Sequence, residues 1–144
     1  MREYFSITDA YEKTLILINS KFKNNEIEII SDIEDIEIFG VNNELIQVFM
    51  NILNNSRDAL LESDNEKKLI FISIKQLNDN VQIIIKDNGN GISEEILNKI
   101  FEPYFTTKHK SQGTGIGLYM SQEIIAKQFN GTLFAKNINY TFEN

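Results

Sequence analysis

The sequence predicts an α/β two-layer sandwich, a sheet covered on one face by a layer of helices. Three observations predict it. Several stretches carry apolar residues at the helical spacing of three and four, and others alternate with period two. A chain of 144 residues with 42% hydrophobic content can bury one core but hardly two. We therefore expect a single domain over residues 1–144, since no internal repeat, low-complexity tract or linker divides the chain.

From Thr8 to about Lys23, Tyr11, Leu15, Ile18 and Phe22 recur at spacings of three and four, which predicts a helix with one buried face. Glu26 to Ile30 and Glu37 to Phe39 are rich in β-branched residues, and Gly40 closes the second of these two expected strands. Asn43 to Leu61 reads as a long helix. Leu69 to Ile74 alternates, with Ile70, Ile72 and Ile74 on one side, and Val81 to Lys86 repeats the pattern. The polar cluster Leu77-Asn78-Asp79-Asn80 between them predicts an antiparallel hairpin. Ser93-Glu94-Glu95 caps and charges a helix start, and a short helix is expected to reach Phe101, with Pro103 ending it. Helix resumes from Gly115 to Gln128, Gly131 stops it, and Thr132 to Ala135 reads as a strand.

Composition excludes several function classes. Fourteen basic against twenty-one acidic residues give a net charge of -7, which opposes binding to nucleic acid or to an anionic membrane. With no cysteine there is neither a disulfide framework nor a thiolate metal site, and the cytoplasm is the expected compartment. No apolar run approaches the roughly 18 to 20 residues of a membrane span, and Met1-Arg2-Glu3-Tyr4 lacks the apolar core of a signal peptide.

Three segments carry chemistry. On the long central helix, Glu44, Gln47, Asn51, Asn55, Asp58 and Glu62 form one polar stripe opposite Leu45, Val48, Phe49, Ile52, Ala59 and Leu60. A carboxamide oxygen is a neutral, hard donor suited to one position of a magnesium shell, which makes Asn55 the candidate metal ligand. With 18 Asn in the chain, the same stripe is also what an ordinary solvated face would look like. Asp87 continues the parity of Val81, Ile83 and Ile85, so its carboxylate points where core side chains point and requires a hydrogen-bonding partner. The exocyclic amine of adenine is one such partner, and Gly89 and Gly91 allow close approach to a flat ring; a plain Asn-Gly turn is the alternative.

Gly113-Thr114-Gly115-Ile116-Gly117 leads directly into a helix, where free backbone N–H groups favour phosphates. It matches neither a Walker A loop nor the dinucleotide fingerprint, and a hinge before a helix is the competing reading. Glu102 to Gln112, between the two glycine segments, has little apolar periodicity and is expected to be a flexible lid. Within it Lys108 can reach phosphate oxygens as a point charge, and the sole histidine, His109, reads as a lid residue.

In order, Asn51-Ile-Leu-Asn-Asn55-Ser-Arg-Asp58-Ala, Asp87-x-Gly-x-Gly91, Phe101-Glu-Pro-Tyr-Phe105-Thr-Thr-Lys108 and Gly113-Thr-Gly-Ile-Gly-Leu118 resemble the N, G1, F and G2 boxes of sensor histidine kinases. The chain from Phe5 onward is similar to their catalytic ATP-binding domain, of the gyrase, heat-shock chaperone, histidine kinase and MutL ATPase superfamily. The resemblance implies a Bergerat fold, a mixed sheet packed on about three helices, that binds ATP with magnesium. It implies Asn51, Asn55 and Lys108 as catalytic residues. Asn51, Asn55, Asp58, Asp87, Gly89, Gly91, Lys108, Gly113, Thr114, Gly115, Gly117 and Leu118 would contact the nucleotide. Within that set Asp87 would take the adenine amine, Asn55 the Mg2+ ion, and Asn51 would order the triphosphate. Phe101 and Phe105 would anchor the lid, which the resemblance also implies for Glu102 to Gln112.

In hydrolysing members of the superfamily a glutamate four residues before the metal-binding Asn activates water. Here that position is Asn51, whose amide cannot act as a base, so phosphoryl transfer is favoured over rapid hydrolysis. The implied acceptor is a histidine on a dimerisation and phosphoacceptor helical hairpin, which the chain lacks and a parent kinase would supply upstream. From there phosphate would pass to a response regulator, which is an indirect partner. The family's sheet ends in a further strand, and the stretch around Tyr140-Thr141-Phe142 is expected to leave that strand absent. An anti-sigma-factor serine kinase and an ATP-sensing module that transfers nothing are the alternative readings.

Overall fold

The computed structural model describes residues 1–105 and 115–138. Its elements run β1 (Glu3–Ser6), α1 (Ile7–Asn24), β2 (Ile27–Ile33), β3 (Glu37–Gly40), α2 (Asn42–Glu62), β4 (Lys68–Leu77), β5 (Asn80–Asp87), α3 (Glu94–Leu97) and α4 (Gly117–Phe129). Ser6 caps α1, its hydroxyl accepting the Asp9 N–H at 3.2 Å. Asp9 in the first turn and Lys21 and Lys23 in the last complement the helix dipole.

The described strands divide into two sheets. β1 pairs antiparallel with β3, while β2, β4 and β5 form a mixed three-stranded sheet in that order. β2 runs parallel to β4, and β4 turns back on β5 through the expected hairpin, with Asn78 at φ 55° in the turn. On β4 the isoleucine face is closed. Ile70, Ile72 and Ile74 are fully buried, whereas Phe71, Ser73 and Lys75 between them are half-buried. α1 and α2 contribute Ile7, Phe22, Leu45, Phe49, Leu53 and Leu60 to the same core, and the Tyr11 ring meets Phe49 edge-on at 5.9 Å.

The mixed α/β architecture with three long helices agrees with the sequence reading, and five local expectations are corrected. β1 was not anticipated, because four residues are too few for a period to declare itself. α3 stops at Leu97 rather than Phe101, since Asn98 and Lys99 are exposed and a helix so short draws little stability from packing. α4 begins at Gly117, because Gly115 has φ +73° and cannot be helical. Its left-handed terminal residue is Asn130 at φ 51°, one position before Gly131. Thr132 to Ala135, expected as a strand, pairs with no strand among the described residues: 131–138 are irregular, and side-chain hydrogen bonds tie them to the rest of the described fold. The Gln122 Nε2 group donates to the Leu133 carbonyl at 3.0 Å, and Asn137 pairs with Ile92. The lid run from Thr106 to Gln112, with Lys108 and His109, lies outside the described residues, as do Gly113, Thr114 and Tyr140-Thr141-Phe142.

Candidate functional site

Helix α2 is the spine of the site. Its apolar face is committed to the core through Leu45, Phe49, Leu53 and Leu60, which fixes the opposite stripe toward the two glycine segments. On that stripe the Asn51 Nδ2 group donates to the Gly117 carbonyl at 3.2 Å and to Ser121 Oγ at 3.1 Å. Asn51 Oδ1 accepts from Gln47 Nε2 at 2.9 Å. Asn51 therefore ties α2 to the first turn of α4. Asn55 follows one turn later and is half-buried. Asp58 sits beside Arg57, with 3.3 Å between carboxylate and guanidinium.

Asp87 ends β5 opposite Ile70 and is half-buried, as its parity predicts. Its Oδ1 accepts the Gly89 N–H at 2.9 Å. Gly89 lies over α2: an added Cβ would stand 3.5 Å from the Ala59 carbonyl oxygen, an ordinary contact, and 2.9 Å from Asp87 Oδ1, so a larger residue would displace the Asp87 carboxylate rather than the helix. Ala59 was expected on the apolar face, but it is only half-buried and Gly89 lies over it; spaced by four, Asn51, Asn55 and Ala59 form a row about 12 Å from first to last. The second glycine segment meets the first of these residues and the first glycine segment meets the last, which leaves Asn55 between them.

Gly115 closes the other side. A Cβ there would fall 2.5 Å from the Phe105 carbonyl oxygen and the Tyr104 carbonyl carbon, so the start of the second segment packs on the end of the Phe101–Phe105 stretch. Phe101 and Phe105 are half-buried, and Tyr104, at φ 67°, is exposed. Gly117 and Leu118 form the first turn of α4, whose N-cap Ile116 supplies no side-chain hydrogen bond. The N–H groups of that turn carry the positive end of the helix dipole.

Three further residues hold the segments of the candidate site in place and were not singled out from sequence. Asn88 Oδ1 accepts the Leu69 N–H at 2.8 Å, and its Nδ2 donates to the Lys67 carbonyl at 2.9 Å, so the loop after Asp87 is bound to the start of β4. Asn137 brackets Ile92, accepting its N–H at 2.9 Å and donating to its carbonyl at 2.5 Å, beside Gly91 at φ +77°. Ser121, fully buried, holds Asn51. Only Asn88 carried a local signal, an Asx residue immediately after a strand end.

The donor set fits a nucleotide that brings its own metal. Among the described residues no group of three or more His, Asp or Glu side chains could hold an ion, so a magnesium site built on Asn55 would take its other ligands from phosphate and water, as that ion prefers. Asp87, half-buried beside Gly89, offers a carboxylate acceptor of the kind that the amine of a base requires. No helix among the described residues is long and apolar enough to cross a membrane.

Residues 40–142 match the family model described as histidine kinase-, DNA gyrase B-, and HSP90-like ATPase. The chain is 38% identical over 128 residues to sporulation kinase E of Bacillus subtilis, covering 87% of itself and 16% of that kinase. It thus spans about a sixth of that relative's length. Its fold superposes on the nucleotide-free catalytic domain of the histidine kinase ThkA with a TM-score of 0.82 at 26% identity, over 96% of this chain and 89% of that one. ThkA has also been solved in complex with the response regulator protein TrrA, and that structure matches at a TM-score of 0.79 and 23% identity, over 95% of this chain and 38% of that one.

Proposed function

This chain belongs to the histidine kinase-, DNA gyrase B-, and HSP90-like ATPase family, and on that footing we propose that it binds ATP with magnesium and presents the γ-phosphate to a histidine on a separate phosphoacceptor hairpin. The observation that carries the reading is the arrangement on α2. Asn51, Asn55 and Ala59 fall on one face, the first touching Gly117, the last facing Gly89. A nucleotide laid along that face would have its base at Asp87 and its phosphates at the start of α4.

In this reading Asp87 accepts the adenine amine, and Gly89 and Gly91 let the backbone approach the ring. Asn55 gives its carboxamide oxygen to the metal, and Asn51 and the first turn of α4 orient the triphosphate, with Gly113, Thr114, Gly115, Gly117 and Lys108 contributing donors. Magnesium, when bound, supplies neutralisation of phosphate charge. The residues of this chain bind and orient; none on the α2 stripe at the position four before Asn55 can take a proton from water, because Asn51 is an amide. Transfer to a well-placed imidazole is then favoured over hydrolysis. The compartment is the cytoplasm, and a response regulator receives the phosphate indirectly.

The test is transfer from γ-labelled ATP to a purified histidine-bearing hairpin taken from a relative. Acid-labile, base-stable label on the hairpin is expected. Label on a serine of a sigma-regulator protein instead, or no transfer by a domain that binds ATP, would overturn the reading. Asn55→Ala is expected to leave the circular dichroism spectrum unchanged and to remove most of the gain in ATP affinity that magnesium gives, measured by calorimetry with and without chelator.

A further inference from the structure

The most buried position on α4 is polar. Ser121 has no exposed surface, whereas Leu118, Ile124, Ile125 and Phe129 of the same helix are only half-buried and Met120 and Ala126 are exposed. A hydroxyl taken wholly out of water costs free energy unless it is hydrogen-bonded, and alanine would fill nearly the same space without that cost. The Ser121 hydroxyl is bonded to Asn51 Nδ2 at 3.1 Å. One turn earlier the same nitrogen reaches the Gly117 carbonyl at 3.2 Å, and the other end of the carboxamide is held by Gln47 at 2.9 Å. Gly117 itself is not crowded against Asn51, since an added Cβ would lie 3.6 Å from the nearest Asn51 atom, ordinary contact. The link between the helices at this point is made by directional hydrogen bonds rather than by tight packing.

We propose that Ser121 is a positioning residue for phosphate binding. Together with Gly117 it fixes the Asn51 carboxamide and so sets the height and rotation of the first turn of α4 relative to Asn55. The inference rests on the reading of the site as a nucleotide pocket. Helix N-termini attract phosphate through N–H groups whose aim decides the strength of the bond, and Ser121 sets that aim from one turn inside the helix. The base end of the pocket, at Asp87 and Gly89, is held independently by Asn88, which bonds Lys67 and Leu69 at the start of β4. Loss of the Ser121 hydroxyl should therefore be felt at the phosphates and not at the base.

The experiment compares ATP with adenosine on the whole chain by calorimetry in magnesium buffer. Ser121→Ala is expected to weaken ATP by about fivefold and adenosine by less than about twofold, the loss of one hydrogen bond acting at one end of the ligand. A merely structural role would lower the melting temperature and weaken both ligands by the same factor, or neither, and either result overturns the proposal. Ser121→Cys keeps the volume and offers only a weak acceptor; should the alanine variant fail to fold, its ATP-to-adenosine ratio decides in the same sense. A wild-type chain that binds neither ligand would instead remove the nucleotide reading on which the inference stands.

Discussion

Asp87→Asn is expected to weaken ATP binding by about a hundredfold, roughly 2.7 kcal/mol, with the fold intact. The carboxylate accepts at both oxygens, and one of them already takes the Gly89 N–H at 2.9 Å. An asparagine at that place has one acceptor and one donor end. If its oxygen keeps Gly89, its NH2 group faces the adenine amine, donor against donor. If it turns over, the amine is satisfied and the Gly89 N–H is not, at the point where the loop crosses Ala59 of α2. Both rotamers lose a charge-assisted bond. Calorimetric titration reads the loss, and a melting temperature within about 3 °C of wild type separates it from unfolding. Near-normal ATP affinity in the variant would remove Asp87 from the base site.

Phe49→Ala is expected to have the largest effect on stability. Phe49 is almost completely buried on the core side of α2, and its ring meets Tyr11 edge-on at 5.9 Å. Truncation removes a large apolar surface and leaves a cavity between α1 and α2 that their committed packing cannot collapse, costing about 3 to 5 kcal/mol. Against a total stability of roughly 5 to 15 kcal/mol, that leaves little margin. Denaturant unfolding should show a midpoint moved far to lower concentration at an unchanged slope. A shift of less than about 1 kcal/mol would mean that α1 and α2 are not locked by this contact. The same substitution also probes the site, because the stripe with Asn51 and Asn55 is aimed by the burial of the opposite face.

Much of this was legible in the chain, for reasons that differ between elements. Ile70, Ile72 and Ile74 alternate because one face of β4 is covered, and the covering helices declare themselves by Tyr11, Ile18, Phe22 and Leu45, Phe49, Leu53 at helical spacing. Asp87 was readable from parity alone, since a strand carries its side-chain alternation through its last residue. What stayed hidden depends on partners far away in sequence. β1 exists because Glu3 to Ser6 find β3 some thirty-five residues later, register Tyr4 to Phe39. Thr132 to Ala135 has the composition of a strand but no ladder among the described residues, and composition cannot supply one. Among 18 asparagines, nothing local marks Asn51 as the one bonded to α4 or Asn137 as the one bracketing Ile92.

The division of labour along α2 follows from the same geometry. Among the described residues Gly89 rests on Ala59 and Gly117 on Asn51, and a rigid helix keeps these two points at a fixed separation. Positions on such an element hold ligands more closely than positions on loops, and Asn55 lies midway between the two contacts. The loops on either side carry small residues where they meet the helix, while Asn88, Ser121 and Asn137 tie them back to the scaffold.

The most direct test of the nucleotide site is calorimetric titration of the folded wild-type chain with ATP, once with magnesium and once with chelator. Saturable binding at one site, tighter with magnesium, is the expected result. A chain folded by circular dichroism that takes up no ATP under either condition would contradict it.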